Sequence, residues 1–301
     1  MNENKKVLFI INKYSGTGYQ SKVEGAILSQ CDKLGMEATL AFTKSRGHAT
    51  ELAHQGTADK KYETIFAVGG DGTVNEVAKA IVHTNQVMGI LPCGSGNGLA
   101  RHLGIPIKIK EALLTMESST IIAMDSFRVN NQLSINVSGI GFDGHIAGLF
   151  GKDGKRGLMS YSKLVLKEFL RYKEFEVTIQ IDGMSFQQNA FMIAFANSSQ
   201  FGNNAHIAPH ASVCDGLLDV SLIRKIPLHQ IAGFTTKMFS GQLHRSAFTE
   251  IKKGKEISLT FEKPMPYHID GEGQSPQRAF TVQMQPGSIY MLVPINSKSK
   301  V

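Results

Sequence analysis

The sequence has few cysteines and no long apolar run. Its three cysteines, Cys31, Cys93 and Cys214, are an odd number that gives no complete disulfide framework, which favours a reducing cytosol. No apolar run approaches the roughly 18 residues that span a membrane. The N-terminal run from Val7 to Ile11 is also too short for the apolar part of a signal peptide. These absences predict a soluble, cytoplasmic protein whose residues 7–11 form a buried strand.

The signatures of several functional classes are also missing. There is no zinc-finger spacing, RNP signature or basic tail, so no nucleic-acid partner is expected. There is no His-Arg-Asp or Asp-Phe-Gly stretch either, which disfavours a protein kinase. The net charge of +7 suits nucleotides or an acidic membrane face, or serves solubility alone. With 301 residues, 42% of them hydrophobic, the chain is long enough for two domains.

The first 126 residues alternate between apolar runs and segments with helical spacing. This alternation is typical of a parallel sheet covered by helices on both faces. The predicted strands are 7–11, 37–45, 64–70 and 88–94, and the predicted helices are 19–35, 47–57 and 73–84. Ligands of such sheets bind beyond the carboxyl ends of the strands. We therefore expect the loops that follow the strands to converge on one crevice: 12–18, 43–48, 69–73 and 92–98.

Beyond residue 126 the pattern alternates with a period of two. Asn130-Asn131 and Asp182-Gly183 are typical hairpin turns. One amphipathic helix is expected near 156–172. The sequence thus predicts a mostly β domain over 127–283. The final strand, 288–294, is predicted to return to the α/β domain, which then comprises 1–126 and 284–301.

Two glycine-rich turns follow predicted strands. In Gly69-Gly70-Asp71-Gly72-Thr73, backbone N–H groups and the start of a helix suit a phosphate, although no Lys follows as in the usual phosphate loop. Asp71, an anion, indicates Mg²⁺ between it and the phosphates, directly or through water. The alternative is a tight turn in which Asp71 or Thr73 caps the helix.

The second turn, from Gly94 to Asn97, offers similar donors. Its alternative is that Asn97 only caps the helix that begins with Leu99. The loops from Asn12 to Gly18 and from Thr43 to Ala49 also suit a nucleotide, and each is equally compatible with a plain loop.

A pair of carboxylates occurs late in the chain, in His268-Ile269-Asp270-Gly271-Glu272-Gly273. In an extended chain Asp270 and Glu272 face one side, which suits metal binding or general-base catalysis. The alternative is an exposed acidic turn. Asp125 is a third candidate carboxylate, or else a loop aspartate.

The stretches GGDGTVNEV, LPCGSGNGLAR and DGE resemble those of the diacylglycerol-kinase catalytic-domain superfamily, which includes soluble bacterial lipid kinases, sphingosine kinases and ceramide kinases. The order and spacing of the three motifs match over essentially the whole chain. The resemblance implies a three-layer α/β nucleotide-binding domain, similar to that of NAD kinases and phosphofructokinases, and a C-terminal β-sandwich lipid-binding domain. It also implies an active site in the cleft between them.

The resemblance further assigns roles to residues. It implies that Asp71, Asp125 and Glu272 organise Mg²⁺, partly through water, and that Asp270 is the general base. Asp215 and the carbonyl group of Leu218 would hold a second, structural Mg²⁺, the alternative for Asp215 being a turn aspartate. The implied ATP site comprises Asn12, Ser15, Gly16, Thr43, Gly70, Asp71, Gly72, Thr73, Gly94, Ser95, Gly96 and Asn97.

The sequence departs from the family pattern at two places. Lys13 stands where the first motif usually has Pro, which alters the loop or adds a phosphate contact. Asn97 is followed by Gly98 rather than Asp, which is closer to the sphingosine and ceramide kinase pattern and leaves the acceptor lipid open.

The segment 142–156 and the helix after it are predicted to gate the lipid and to touch an anionic membrane. Leu158, Tyr161, Val165 and Phe169 share one helical face, and Lys163, Lys167 and Arg171 share another. The alternative is a helix packed on the core with a solvated basic face. Asp143 and His145 are predicted to contact the lipid head group, or else to be structural.

The prediction is an ATP- and Mg²⁺-dependent lipid kinase that acts on a lipid such as diacylglycerol at a membrane surface. A sphingoid-base or ceramide kinase is the first alternative. NAD kinase shares the GGDGT turn but is disfavoured by GSGN and DGE, and a non-catalytic nucleotide- or lipid-binding regulator is disfavoured by the intact carboxylates. The oligomeric state is open, with a homodimer as one alternative.

Overall fold

A computed structural model describes residues 5–16, 19, 22–150 and 158–299. The chain forms two compact units. Unit 1 comprises 1–126, 212–215 and 286–301, and unit 2 comprises 127–211 and 216–285. Thr17 and Gly18 of the first predicted loop, and residues 151–156 of the predicted lipid gate, lie outside the described residues, as do the side chains of Leu158 and Tyr161.

Unit 1 alternates strands and helices. Its strands are β1 (Lys5–Ile11), β2 (Met36–Phe42), β3 (Thr64–Gly69) and β4 (Val87–Pro92), with the first part of β5 (Ser119–Val129). Its helices are α1 (Lys22–Lys33), α2 (His48–Ala58), α3 (Asp71–Ile81), α4 (Gly98–His102) and α5 (Ile109–Leu114). The apolar runs of β1, β3 and β4 are buried over nearly their whole length, as expected for strands covered on both faces.

The sheet of unit 1 is parallel in the order β2-β1-β3-β4. The last strand, β14 (Glu272–Pro294), spans the boundary between the units. Within unit 1 its end extends the sheet, where Tyr290 and Met291 pair in parallel with Val87 and Met88 of β4. The α/β class expected for the N-terminal domain is confirmed.

Unit 2 is mostly β. Its further strands are β6 (Gln132–Ser134), β7 (Val137–Gly141), β8 (Phe175–Ile181), β9 (Met184–Ala190), β10 (Met192–Ala196), β11 (Leu218–Ile223), β12 (Thr249–Gly254) and β13 (Glu256–Ile269). Its helices are α6 (Phe142–Leu149), α7 (Leu158–Arg171) and α8 (Ile231–Phe239). The hairpins expected at Asn130-Asn131 and Asp182-Gly183 are present, and all four turn residues have positive φ.

The strands of unit 2 pair in antiparallel fashion. One edge of β13 pairs with β14, and its other edge pairs with two different strands. Residues 257–260 of β13 pair with β8, whereas Tyr267 and His268 pair with β7. Register shifts between Thr260 and Tyr267 accompany this change of partner. One apolar core lies among the strands and includes Phe195, Phe280 and Tyr267. A second core lies between β7, β10 and the three helices, so α6, α7 and α8 cover one face of this sheet.

The expectation of a single helix in unit 2 is wrong, because α6 and α8 are helical as well. Gly144 in α6 lowers helix propensity. It is nevertheless required there, because a Cβ atom would lie 2.4 Å from the Cα of Tyr267. The sequence of α8, IAGFTTKMF, contains a glycine and two adjacent threonines. Packing against the second core therefore stabilises both segments as helices. None of the described helices is long and apolar enough to span a membrane.

Candidate nucleotide and acceptor sites

Three glycines bring the loops of unit 1 into backbone contact. A Cβ atom on Gly94 would lie 2.5 Å from the Cα of Gly70, and one on Gly16 would lie 3.0 Å from the carbonyl oxygen of Cys93. Gly16 also has a φ of +59°, which favours glycine. The loops after β1, β3 and β4 therefore pack together at the carboxyl edge of the parallel sheet, as expected from their places in the sequence.

Asp71 links the two glycine-rich turns. Gly98 N donates to Asp71 Oδ1 at 2.8 Å, which joins the first turn of α3 to the first turn of α4. The N-cap residue of α3 is Gly70, so neither Asp71 nor Thr73 caps this helix through its side chain. The carboxylate of Asp71 thus holds the loop between residues 94 and 97 against α3.

The side chain of Asn97 closes the second turn on itself. Gly94 N donates to Asn97 Oδ1 at 3.0 Å, and Asn97 Nδ2 donates to the carbonyl oxygen of Gly94 at 2.7 Å. Asn97 occupies the N-cap position of α4 but makes no side-chain capping bond. Arg101 Nε donates to the carbonyl oxygen of Gly96 at 3.1 Å. The turn is therefore fixed by its own side chains, while Ser95 at its tip is exposed.

Asn12 connects the first loop to α3. Its Nδ2 donates to Thr73 Oγ1 at 3.1 Å, and its carbonyl oxygen accepts from Ser15 Oγ at 2.8 Å. Lys13 Nζ, on the next residue, donates to Glu24 Oε1 at 2.8 Å, and this hydrogen bond raises the pKa of Lys13. The ammonium group of Lys13, the residue at the position of the expected Pro, is thus bound to α1.

Glu76 is a site residue that the sequence did not reveal. Its carboxylate accepts from Gly47 N at 2.9 Å and from Ala49 N at 3.2 Å, at the start of α2. It thereby positions the loop that carries Thr43, whose N–H donates to the carbonyl oxygen of Ile11 at 2.9 Å. Glu76 lies five residues after Asp71 on α3, outside the glycine-rich turn that pointed to the site.

Cys93 and Asp125 are both buried in unit 1. Burial raises the pKa of the Cys93 thiol to about 11, so the group stays neutral near pH 7 and is no nucleophile. Asp125 Oδ1 accepts from Gly287 N at 2.7 Å. Asp215, also in unit 1, is exposed, and Leu218 is buried in β11 of unit 2.

The two carboxylates of the late motif lie at a hairpin turn. Asp270 and Gly271 join β13 to β14, and their φ values are +45° and +86°. The expectation that Asp270 and Glu272 share one face of an extended chain is therefore wrong. Asp-Gly favours a two-residue turn with positive φ at both positions, and this turn preference overrides the period of two. Asp270 and Glu272 are both half-buried.

The carboxylate of Asp270 is held by residues 134–138, which we call the SINVS segment. Ile135 N donates to Oδ2 at 3.0 Å, and Ser134 Oγ and Asn136 N donate to Oδ1 at 2.5 and 3.1 Å. Ser138 Oγ accepts from Asp270 N at 3.2 Å. The carboxylate is thus fixed in one orientation by three donors, none of which belongs to a motif of the sequence.

Asp143 and His145 lie on α6 and have partners within unit 2. Asp143 Oδ2 is 3.2 Å from His268 Nε2, and Asp143 Oδ1 accepts from Gly144 N at 2.8 Å. His145 Nε2 is 3.0 Å from Glu168 Oε2 on α7, and this hydrogen bond lowers the pKa of Glu168. The structure therefore places Asp143 next to the Asp270 turn and joins His145 to α7.

Helix α7 turns its predicted apolar face to the core. Phe169 is buried and Val165 half-buried in the second core. Leu166 and Leu170 point outward with 60% and 59% of their surface exposed. They lie beside the exposed side chains of Lys163, Lys167 and Arg171. The outer face of α7 is thus both basic and apolar.

No three His, Cys, Asp or Glu side chains among the described residues come together as ligands for one metal ion. Asp71 and Asp125 belong to unit 1, whereas Asp270 and Glu272 belong to unit 2.

Two family profiles match this chain. The diacylglycerol kinase catalytic domain matches residues 6–129, and the YegS C-terminal NAD kinase beta sandwich-like domain matches residues 138–293. Their boundary falls where the α/β pattern gives way to the β-sandwich.

Curated relatives agree with these matches. A diacylglycerol kinase of Bacillus subtilis is 26% identical over 89% of this chain and 90% of its own length. A probable lipid kinase YegS-like of Yersinia enterocolitica is 28% identical over 87% and 89%. Among solved structures, a putative diacylglycerol kinase of Bacillus anthracis has a TM-score of 0.79 and 22% identity and covers 98% of this chain and 99% of its own. The last comparison shows a shared two-domain fold.

Proposed function

The chain belongs to the diacylglycerol kinase family, and from this premise we propose that it transfers the γ-phosphoryl group of ATP to a hydroxyl group of a lipid such as diacylglycerol. The observation that carries the proposal is the bond between Asp71 and Gly98, together with the contact between Gly70 and Gly94. These contacts make one backbone surface out of two glycine-rich turns. Phosphoryl transfer depends mainly on positioning and on charge stabilisation, which such a surface supplies.

The nucleotide site that we propose follows the convergent loops of unit 1. Backbone N–H groups of Gly70 and Gly72 and the start of α3 suit phosphate oxygens, and Gly94 lies against Gly70 beside them. Asn12 and Thr73 are joined by a hydrogen bond, and Ser15 is bound to Asn12, so residues 12–15 of the first loop lie beside α3. The remaining residues of this proposed site are Gly16, Thr43, Asp71, Ser95, Gly96 and Asn97.

Magnesium is the second part of the proposal. Mg²⁺ at kinase sites is usually held by one or two carboxylates together with phosphate oxygens and water, so it needs no cage of three protein ligands. Asp71, at the phosphate-binding start of α3, suits this role, with Asp125 and Glu272 as further carboxylates. When bound, the ion neutralises charge on the phosphates. A second Mg²⁺ at Asp215 and Leu218 stays a prediction of the sequence.

Asp270 is the general base in this proposal. Its fixed carboxylate takes the proton of the lipid hydroxyl group as the oxygen forms a bond to the γ-phosphorus, while the bond from phosphorus to the leaving oxygen of ADP breaks. The three donors of the SINVS segment favour this role because they hold the carboxylate in place before the acceptor binds. General-base catalysis contributes typically about 10²–10⁴-fold in rate.

The experiment is an assay with Mg-ATP and a panel of diacylglycerol, sphingoid bases, ceramide, phosphatidylglycerol and NAD. We expect a phosphorylated lipid as product. Asp270→Asn should reduce formation of this product by about 10²–10⁴-fold. ATP binding should stay within twofold of wild type, because Asp270 lies in unit 2 and the proposed nucleotide site lies in unit 1.

The matched control is Asp182→Asn. Asp182 begins the other Asp-Gly hairpin turn of unit 2 and also accepts backbone hydrogen bonds, from Lys255 and Glu256. Its substitution should leave turnover intact. An Asp270→Asn enzyme with wild-type turnover would remove Asp270 from the role, and a wild-type protein that phosphorylates no lipid of the panel would contradict the proposed function.

The acceptor class has one specific alternative. Gly98, which stands where many bacterial members have Asp, donates to Asp71 through its backbone. This position follows the sphingosine and ceramide kinase pattern, so a sphingoid base or ceramide is the second candidate acceptor. The relative rates with diacylglycerol and with these lipids decide between the two.

We also propose that the outer face of α7 touches an anionic membrane. Leu166 and Leu170 offer exposed apolar surface, and Lys163, Lys167 and Arg171 offer positive charge beside them. This combination suits an interfacial helix. The cytoplasmic location and the homodimer stay predictions of the sequence.

A further inference from the structure

We propose that His268 is a positioning residue that holds the backbone of the Asp270-Gly271 turn in place. Asp143 in turn orients the ring of His268. The inference rests on the proposed function, because it assigns a role in presenting the general base. It concerns two side chains that contact each other but belong to different sequence motifs.

The contacts of His268 form a short chain across unit 2. Gly271 N donates to His268 Nδ1 at 3.0 Å, and His268 Nε2 lies 3.2 Å from Asp143 Oδ2. The His268 side chain is 3% exposed and that of Asp143 is 12% exposed. Solvent therefore competes little with either contact, and the chain runs from α6 through β13 into the turn.

The hydrogen bonds define the tautomer of the ring. A nitrogen that accepts a hydrogen bond from a backbone N–H carries no proton, so Nδ1 is bare and Nε2 carries the hydrogen. Nε2–H then donates to the carboxylate of Asp143. Asp143 thereby selects the tautomer that accepts from Gly271, as a carboxylate does when it orients a histidine in other sites.

The backbone around this pair leaves space for it. A Cβ atom on Gly139 would lie 1.9 Å from Asp143 Oδ2, so the carboxylate fits only above a glycine in β7. Gly144 lets α6 approach Tyr267, the neighbour of His268, as its Cβ would lie 2.4 Å from the Cα of Tyr267. Larger side chains at either position would separate Asp143 from His268.

The consequence is that Asp270 is held from two sides. The SINVS segment binds its carboxylate, while His268 binds the N–H of the following residue, Gly271. The first set of bonds fixes the direction of the carboxylate, and the second fixes the backbone from which it projects. Displacement of a reacting group by about 1 Å costs about 10²-fold in rate, so both sets bear on turnover.

Two substitutions separate the two bonds of His268. Asn places its amide near the position of Nδ1 and can accept from Gly271 N, whereas Gln places its amide near Nε2 and can bind only Asp143. We expect His268→Asn to keep kcat within about fivefold of wild type. His268→Gln and His268→Leu should lower kcat by about 10²-fold. The KM for ATP should stay within twofold in all three.

Two further variants test the orienting partner. Asp143→Asn retains an oxygen that accepts from Nε2–H, so it should keep most of kcat, whereas Asp143→Leu should approach the loss of His268→Gln. His206→Gln, a change at a half-buried histidine of the same unit, is the control and should leave kcat unchanged.

Hydrogen exchange of the turn is a readout that does not depend on activity, and amides elsewhere in unit 2 show any general loss of stability. The amide of Gly271 should exchange slowly in wild type and in His268→Asn, and faster in His268→Gln. Equal kcat for all His268 variants in an active enzyme would overturn the inference, as would an active His268→Gln beside an inactive His268→Asn. An inactive wild-type protein would instead contradict the proposed function itself.

Discussion

At the scale of single residues, glycines of unit 1 allow close contacts between backbones because they have no Cβ atom. The sequence predicts glycine-rich turns after β3 and β4, because apolar runs lead into them. It does not predict that Gly70 and Gly94 touch, because this contact depends on the distance between the ends of the neighbouring strands β3 and β4. The same limit applies to Asp71, whose bond to Gly98 joins residues far apart in the chain.

Substitution of Gly94 tests this contact. In Gly94→Ala the new Cβ would lie 2.5 Å from the Cα of Gly70, so the two turns must separate. Overpacking of this kind costs typically about 1–3 kcal/mol. We expect ATP binding, measured by calorimetry, to weaken by about tenfold, which corresponds to about 1.4 kcal/mol.

The matched control is Gly25→Ala in α1. No heavy atom lies within 4 Å of the position of its Cβ, so the added methyl group meets open space. Alanine in place of glycine stabilises a helix by about 0.5–1 kcal/mol, so this variant should bind ATP normally and be slightly more stable. Normal ATP binding by Gly94→Ala would show that the turns do not hold the phosphates.

At the scale of elements, the spacing of apolar residues and the turn dipeptides predicted the strands and hairpins well. Tertiary packing determined the elements that they did not predict. The buried strands β1, β3 and β4 were predictable from their apolar runs alone. Helices α6 and α8 were not, because their glycines and threonines favour other conformations and only packing on the second core makes them helical. The period of two predicts an extended chain at Asp270-Gly271, whereas the Asp-Gly dipeptide itself favours the turn that forms there. The SINVS segment was missed because its backbone N–H groups leave no motif.

Helix α7 gives the prediction at this scale. Reversal of its basic face, with Lys163→Glu, Lys167→Glu and Arg171→Glu together, should reduce binding to vesicles that contain anionic lipid. Each basic residue near such a surface contributes about 1 kcal/mol, so the partition constant should fall by about 10²-fold or more. Co-sedimentation with vesicles measures the effect.

Three exposed lysines of unit 1 provide the control, since Lys33→Glu, Lys60→Glu and Lys110→Glu change the net charge by the same amount. This variant should still bind the vesicles. An equal loss in both variants would indicate general attraction by net charge, and unchanged binding of the α7 variant would indicate a solvated basic face.

At the scale of the whole molecule, the chain completes its first unit with a late segment. Residues 286–294 of β14 add the strand beside β4, and Ile289, Met291 and Val293 are fully buried there. The run SIYMLVP predicted a strand that returns to the first domain. Its neighbour in the sheet was not predictable, because an apolar run of seven residues does not specify which strand it pairs with.

A chain that ends after residue 285 should therefore lose ATP binding although residues 5–126 are unchanged. Burial of each large apolar side chain contributes about 1.5–3 kcal/mol, so loss of these three removes an amount comparable with the whole stability of a domain. Calorimetry with ATP and hydrogen exchange of β4 measure the result. A chain that lacks only residues 300 and 301 is the control, and ATP binding by the shorter chain would contradict the expectation.

The late arrival of β14 also bears on how the protein is made. The ribosome must add about 190 residues after Pro92 before residue 286 exists, which takes roughly 10–40 s at about 5–20 residues per second. During that interval one edge of β4, with its apolar sequence VMGILP, has no strand to pair with. The nascent chain is then open to mispairing, and unit 1 becomes complete only after all of unit 2 has been synthesised.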